Sequence, residues 1–141
     1  VQLGTWDRLG AQAGALRQAV FVNEQGIPAD LEWDAADTSA VHALACNRLG
    51  RAVATGRLLA HAPGVSKIGR MAVVSTLRGS GAGGAVLRAL LGAARERGDR
   101  EVILHAQQSA VGFYLRLGFE AVGPAFEEAG IPHQAMSFRL A

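Results

Sequence analysis

The stretch Arg78-Gly79-Ser80-Gly81-Ala82-Gly83 decides how the rest of this chain is read. Gly84 follows it, then Val86, Leu87, Leu90, Leu91 and Ala94 recur at helical spacing. Arg95 and Arg97 suit the last turn of that helix, and Gly98 supplies its stop. On the other side, Lys67–Val74 reads as a strand. The segment is therefore a glycine-rich link from strand to helix. Glycine lets a backbone approach a ligand closely and take unusual dihedrals. The first N–H groups of a helix lack internal partners, and the helix dipole adds partial positive charge there. Such a link suits a phosphate or pyrophosphate, and Arg78 can add a charge-assisted contact.

Outward from the link, the chain alternates strands and helices. Val1–Thr5 is short enough for an edge strand. Asp7 can cap a helix whose stripe is Leu9, Ala13, Leu16 and Val20, broken by Gly26 and Pro28. Ala29–Ser39 is acidic, with Asp30, Glu32, Asp34 and Asp37, and reads as loop with at most a helical turn. Val41–Asn47 and Ala52–His61 form a hairpin around Arg48-Leu49-Gly50-Arg51. After the glycine-rich helix, Glu101–Ala106 is a strand. Ser109 is a candidate N-cap for a helix over Ala110–Leu117 that Gly118 ends. Phe119–Val122 and Ala135–Leu140 are further strands, with a loop between them carrying Glu127, Glu128, Gly130, Pro132 and His133. A hairpin combined with strand–helix–strand crossovers predicts a mixed α/β (α+β) fold: a twisted mixed sheet of six to seven strands flanked by about four helices.

Composition narrows the function. The 141 residues are 50% hydrophobic and 18% charged, which suits one domain over residues 1–141 and argues against disorder. Thirteen of fourteen basic residues are Arg, but they form no run interleaved with aromatics, so no nucleic-acid partner is expected. The single Cys46 rules out a disulfide within the chain and ends an apolar run, as a buried thiol would. No metal site is expected, because the four His lack close ligand spacing. No stretch approaches the roughly 20 apolar residues of a membrane span, so no membrane partner and a cytoplasmic location are expected.

Several phosphate-binding patterns compete for the link. A P-loop ends in Gly-Lys-Ser/Thr, and no Lys stands here. Gly79-Ser80-Gly81-Ala82-Gly83-Gly84 has G-x-G-x-x-G spacing, but it follows a hairpin and lacks the acidic residue a dinucleotide fold needs. A turn with no ligand is the plain alternative. The remaining pattern is the acyl-CoA loop of the GNAT superfamily, Arg/Gln-x-x-Gly-x-Gly/Ala, which Arg78, Gly81 and Gly83 satisfy. The chain resembles that superfamily from end to end. Ile68-Gly69-Arg70-Met71-Ala72-Val73 looks like its splayed strand, and Phe113-Tyr114-Leu115-Arg116-Leu117-Gly118-Phe119 like its Tyr-bearing helix. Val20–Gln25, Leu104-His105-Ala106-Gln107 and Phe126–His133 resemble the small stand-alone ElaA-like branch. Where the superfamily often carries Asn, this chain departs and reads Gln107-Gln108-Ser109.

The resemblance implies direct transfer of acetyl from acetyl-CoA to a small-molecule or peptide amine, with a non-catalytic acyl-CoA-binding or regulatory domain as the alternative. It implies cofactor contacts from Met71, Ala72, Val73, Arg78, Gly79, Ser80, Gly81, Ala82, Gly83 and Tyr114. Tyr114 would protonate the leaving thiolate, and a backbone N–H in Met71–Val73 would face the oxyanion. Glu24 and His105 are the candidate bases, since an alkyl ammonium must lose a proton before it attacks. Glu24, His42, Glu127 and His133 are the candidate acceptor contacts. The acidic run Asp30–Asp37 could attract a cationic acceptor or be a solvated loop. The fold also makes a homodimer conceivable.

Overall fold

The computed structural model describes residues 1–140. Strands β1 (Gln2–Gly4), β2 (Val41–Cys46), β3 (Ala52–Ala62), β4 (Val65–Val73), β5 (Glu101–Gln107), β6 (Glu120–Ala121), β7 (Phe126–Glu128) and β8 (Ile131–Arg139) form one sheet. Its order is β1-β2-β3-β4-β5-β8-β6, with β7 also on β8. Among the described residues only the β4–β5 pair is parallel; the others are antiparallel. The helices are α1 (Trp6–Arg17), α2 (Ala29–Glu32), α3 (Ala82–Glu96) and α4 (Val111–Arg116). None is long and apolar enough to cross a membrane among the described residues.

The glycine-rich helix packs as its stripe predicts. Val86, Leu87, Leu90, Leu91 and Ala94 of α3 are buried with Leu58, Ile68, Val102, Leu104 and Met136 of the sheet. Helix α1 covers the opposite face through Leu9, Ala13 and Leu44, and through Leu16 and Ala72. Gly56 lets the two layers approach, since a Cβ there would meet Met71 Sδ at 2.4 Å and Leu90 at 3.0 Å.

Two irregularities create the opening the site uses. Parallel pairing of β4 with β5 covers only Val65–Ile68 against Glu101–Leu104. Beyond it β4 runs to Val73 and β5 to Gln107 without partners on each other, so the sheet splits. At the split, β4 carries an extra residue opposite Thr55–Arg57, and Arg70 there has φ +53°. A bulge of this kind bends the strand and sharpens its twist. The second irregularity is a π-helical continuation of α1 over Gln18–Glu24, with Gln25 N–H donating to Val20 O. The wider turn lets the consecutive residues Val20 and Phe21 both bury.

Some sequence expectations need correction. Helix α1 is capped at Thr5, so Asp7 lies in its first turn. Ser109 lies inside a 3₁₀ turn, Gln108–Ala110, and α4 is capped at Ala110. The late loop holds a further strand, β7, and β8 starts at Ile131 rather than Ala135, which gives eight strands among the described residues where six to seven are expected. The hidden element is a hairpin whose two-residue turn, Ala129-Gly130, has both φ positive, at +53° and +75°.

Candidate active site

The glycine-rich link forms an open cradle. Gly79 and Gly81 take φ +86° and +92°, and a Cβ at either would meet nothing within 4 Å. Gly81 caps α3. The first helical bond runs from Ala85 N–H to Gly81 O, so the N–H groups of Ala82, Gly83 and Gly84 precede the ladder. Gly83 seats the cradle on the sheet, because its Cβ would lie 3.1 Å from Val73 Cγ2 and 3.6 Å from Phe113. The helix N terminus, the end of β4 and α4 thus converge on one spot, and the residues present fit a pyrophosphate.

The unpaired edge of β4 faces the same spot. Val74 N–H donates to Val53 O on β3. Strand alternation therefore turns Val73 N–H and C=O away from β3, into the split. Arg78 Nη2 donates to that Val73 carbonyl at 3.1 Å. Tyr114 on α4 is only 6% exposed and lines the adjoining cavity. Burial pushes its phenol well above the ordinary tyrosine range, so it stays protonated and can donate.

The cavity, about 540 Å³, lies between the π-helical segment, α2, the split strands and the β7–β8 hairpin. Its wall includes Lys67, Arg70, Gln107, His105, Glu128 and His133. Gln25 and Gln107 bridge it by a reciprocal amide pair, 3.2 and 2.8 Å.

An acetyltransferase (GNAT) domain model matches residues 12–140. The chain belongs to the GNAT acetyltransferase family. An uncharacterised N-acetyltransferase of Bacillus subtilis, YjcF, is 35% identical over 86% of this chain and 86% of its own. An acyl-CoA N-acyltransferase structure from Pseudomonas aeruginosa superposes with TM-score 0.83 at 34% identity, covering 97% of each chain. Escherichia coli ElaA superposes with TM-score 0.86 at 29% identity, covering 98% of this chain and 97% of that one. This GNAT protein is thus an enzyme, with acetyl-CoA as its cosubstrate.

Within the GNAT frame, the expected site residues divide. His105, His133 and Tyr114 share the cavity. Met71 lines it too, whereas Ala72 is buried against Leu16 and Phe21. Glu24 stands instead in a bidentate pair with Arg78, at 2.5 and 2.9 Å. The hydrogen bond from Arg78 holds the Glu24 carboxyl below its usual range. His42 is a correction: it is 1% exposed, its Nε2 is 2.9 Å from Asp37 O, and it lies against Trp6 away from the cavity. Burial pulls its imidazole below the ordinary histidine range, which disfavours the charged form. Glu127 is a second correction, because alternation on β7 turns it away while its neighbour Glu128 faces in.

The acidic run has a different task from the one considered for it. Arg17, 1% exposed, donates to Glu32 Oε1 at 2.5 Å and to both Asp37 oxygens at 2.8 and 3.0 Å. Arg57 grips both Asp34 oxygens at 2.7 and 2.9 Å and reaches Asp37 at 2.9 Å. Arg70 adds Asp34 at 3.3 Å and Glu32 O at 2.8 Å. Three carboxylates thus meet three guanidiniums, which leaves little negative field to draw a cationic acceptor. The pairing was hidden because Arg17 sits beside an apolar stripe and Arg57 inside an apolar strand run, where a sequence shows charge but no partner.

Proposed function

We propose that the protein moves the acetyl group of acetyl-CoA directly to a primary amine in a ternary complex. The observation that carries this reading is that the free edge of β4 links two features: at Val73 it meets the α3 N terminus, and at Met71 it lines the cavity that buried Tyr114 also lines. The N–H groups of the Gly79–Gly83 link hold pyrophosphate. Val73 N–H, with Met71 beside it, faces the thioester oxygen as negative charge develops there. The amine nitrogen attacks the thioester carbon; the C–N bond forms, and the C–S bond breaks as the oxyanion collapses. Tyr114 gives its proton to the departing sulfur, and the proton shed by the nitrogen restores the phenol.

An alkyl ammonium has a pKa near that of lysine, about 10.4, so a base must first remove a proton. His105 is the base this reading favours, because it faces the cavity and its Nε2 has no hydrogen-bond partner among the described residues. Glu24 is less suited, being held by Arg78 and made less basic by it. The acceptor is a small-molecule or peptide amine that reaches the wall formed by His105, Lys67 and His133.

Calorimetric titration with acetyl-CoA of the intact protein and of Gly81→Glu tests the cofactor half. The variant puts a carboxylate into the open cradle, where the pyrophosphate would lie. Saturable binding by the first and none by a folded second is expected. Equal binding by both would remove the loop from the site, and no binding by the intact protein would sink the reading.

A further inference from the structure

The late hairpin brings three titratable side chains to one face. Gln107 pairs with His133 across β5–β8, and His133 pairs with Phe126 across β7–β8. Paired residues and alternate residues share a face, so His105, His133, Phe126 and Glu128 all point to the cavity side. His105 Nδ1 is 3.0 Å from Glu128 Oε1, and His133 Nε2 is 3.8 Å from Glu128 Oε2. His105 also lies edge-on to Phe126, with centroids 5.0 Å apart. The turn behind Glu128 is strained: Ala129, a non-glycine, holds φ +53°.

Proton placement follows from which atoms can accept. Burial works against ionisation of Glu128, but the hydrogen bond from His105, with the charge of Lys67 and the pull of either imidazole whenever it is protonated, outweighs burial and holds the carboxyl below its usual range. An ionised carboxylate only accepts, so His105 Nδ1 carries the hydrogen. The Nε2 lone pair is then left for the cavity. His133 Nδ1 donates to Ile131 O at 2.7 Å, which anchors that ring independently.

We infer that Glu128 is the positioning residue of the acyl transfer, fixing His105 in the Nδ1–H form so that Nε2 takes the proton of the acceptor ammonium. The inference rests on the acyl-transfer reading above. One proton moves from the ammonium nitrogen to Nε2, leaving a neutral amine and an imidazolium whose charge faces the Glu128 carboxylate. His133, whose Nδ1–H is spent on Ile131 O, stands 3.8 Å from the second carboxylate oxygen without bonding to it, so the hold on the His105 ring comes from Glu128 Oε1. The pattern matches the general logic of a base oriented by a third group.

The test reads the tautomer and the kinetics separately. Histidine-labelled protein is compared with Glu128→Gln by ¹⁵N–¹H long-range correlation at neutral pH. His105 should show hydrogen on Nδ1 in the wild type, and should shift toward the Nε2–H form in the variant, because an amide can donate as well as accept. In the amine acetylation assay, kcat should fall by about 10²- to 10⁴-fold, with KM for acetyl-CoA changed by less than about twofold. Glu128→Asp should recover part of kcat, and a thermal melt identifies a variant that merely unfolds. Hydrogen on Nε2 in the wild type would overturn the assignment, as would a folded Glu128→Gln protein with unaltered tautomer or unaltered kcat. The tautomer reading needs no turnover. A wild type with His105 in the Nδ1–H form but no acetyl transfer would therefore count against the acyl-transfer reading, while the wrong tautomer in an active enzyme counts against Glu128 alone.

Discussion

Arg78 and Glu24 show how one side-chain pair can bear on two steps. Their bidentate contact joins the phosphate cradle to the end of the π-helical segment. Both side chains are largely exposed, so water screens the pair and its worth to stability is small. Its effect on binding is different, because any phosphate contact by Arg78 competes with Glu24. Glu24→Gln should therefore tighten acetyl-CoA binding, by no more than about fivefold, while leaving turnover of the acceptor within an order of magnitude. Isothermal titration and steady-state rates measure the two effects. Turnover lost by more than about a hundredfold with binding intact would return the base role to Glu24 and remove it from His105. The sequence made Glu24 and Arg78 visible as candidates, but their pairing spans 54 positions and no local pattern encodes it. The sequence points to Glu127 rather than its neighbour Glu128 for a related reason. With the segment read as loop, nothing distinguished the two, and only the β7 pairing fixes which of them faces in.

The link and its helix were the most legible elements, since glycine spacing and an apolar stripe both act locally. Gly83 illustrates the physical content of that legibility. Its missing Cβ sets how near the α3 N terminus comes to Val73 and Phe113. A methyl 3.1 Å from Val73 Cγ2 must push one of them by a few tenths of an ångström. Alanine is the better helix former by about 1 kcal/mol, so propensity and packing oppose each other there. We expect Gly83→Ala to change stability by less than about 1 kcal/mol yet weaken acetyl-CoA binding about tenfold, because the displaced N–H groups are those of the cradle. Urea melts and titration on the same samples separate the two; unchanged affinity would mean that the cradle tolerates movement of α3. The elements the sequence hid were those without a periodic signature. The π turn keeps an apolar stripe that reads as ordinary helix, and β7 is three residues long and ends in two Glu. The Ala129-Gly130 turn lacks the Asn-Gly or Asp-Gly pair that usually announces such a hairpin.

Across the whole molecule, the Arg–carboxylate network ties α1, α2, β3 and the bulged β4 around one side of the cavity. Asp37 lies at its centre: it is fully buried and bonded to both Arg17 and Arg57. Removing its charge leaves two buried guanidiniums short of a partner, and breaking a buried pair typically costs about 3–5 kcal/mol. That is a large share of the roughly 5–15 kcal/mol that holds a domain together. Asp37→Asn should therefore lower the melting temperature by about 10 °C or more, despite conserving shape. The same network predicts acid sensitivity with a definite sign. Hydrogen bonds from Arg57, working against partial burial and aided by the charges of Arg57 and Arg70, lower the Asp34 carboxyl from 3.8 to about 2. Asp37 is lowered too, its guanidinium bonds outweighing burial. A carboxyl depressed in the folded state binds protons more weakly than in the unfolded chain. Its stabilisation is therefore complete above pH 3.8 and is lost as pH falls through about 2. Urea midpoints of the wild type should decline gently below pH 6.5, where buried His42 resists the proton that the unfolded chain takes up, and then drop steeply between pH 3.8 and about 2, with a shallower second drop in Asp37→Asn. Parallel pH profiles for the two proteins, or a variant as heat-stable as the wild type, would mean that the network sets the shape of the cavity wall without contributing to the stability of the fold.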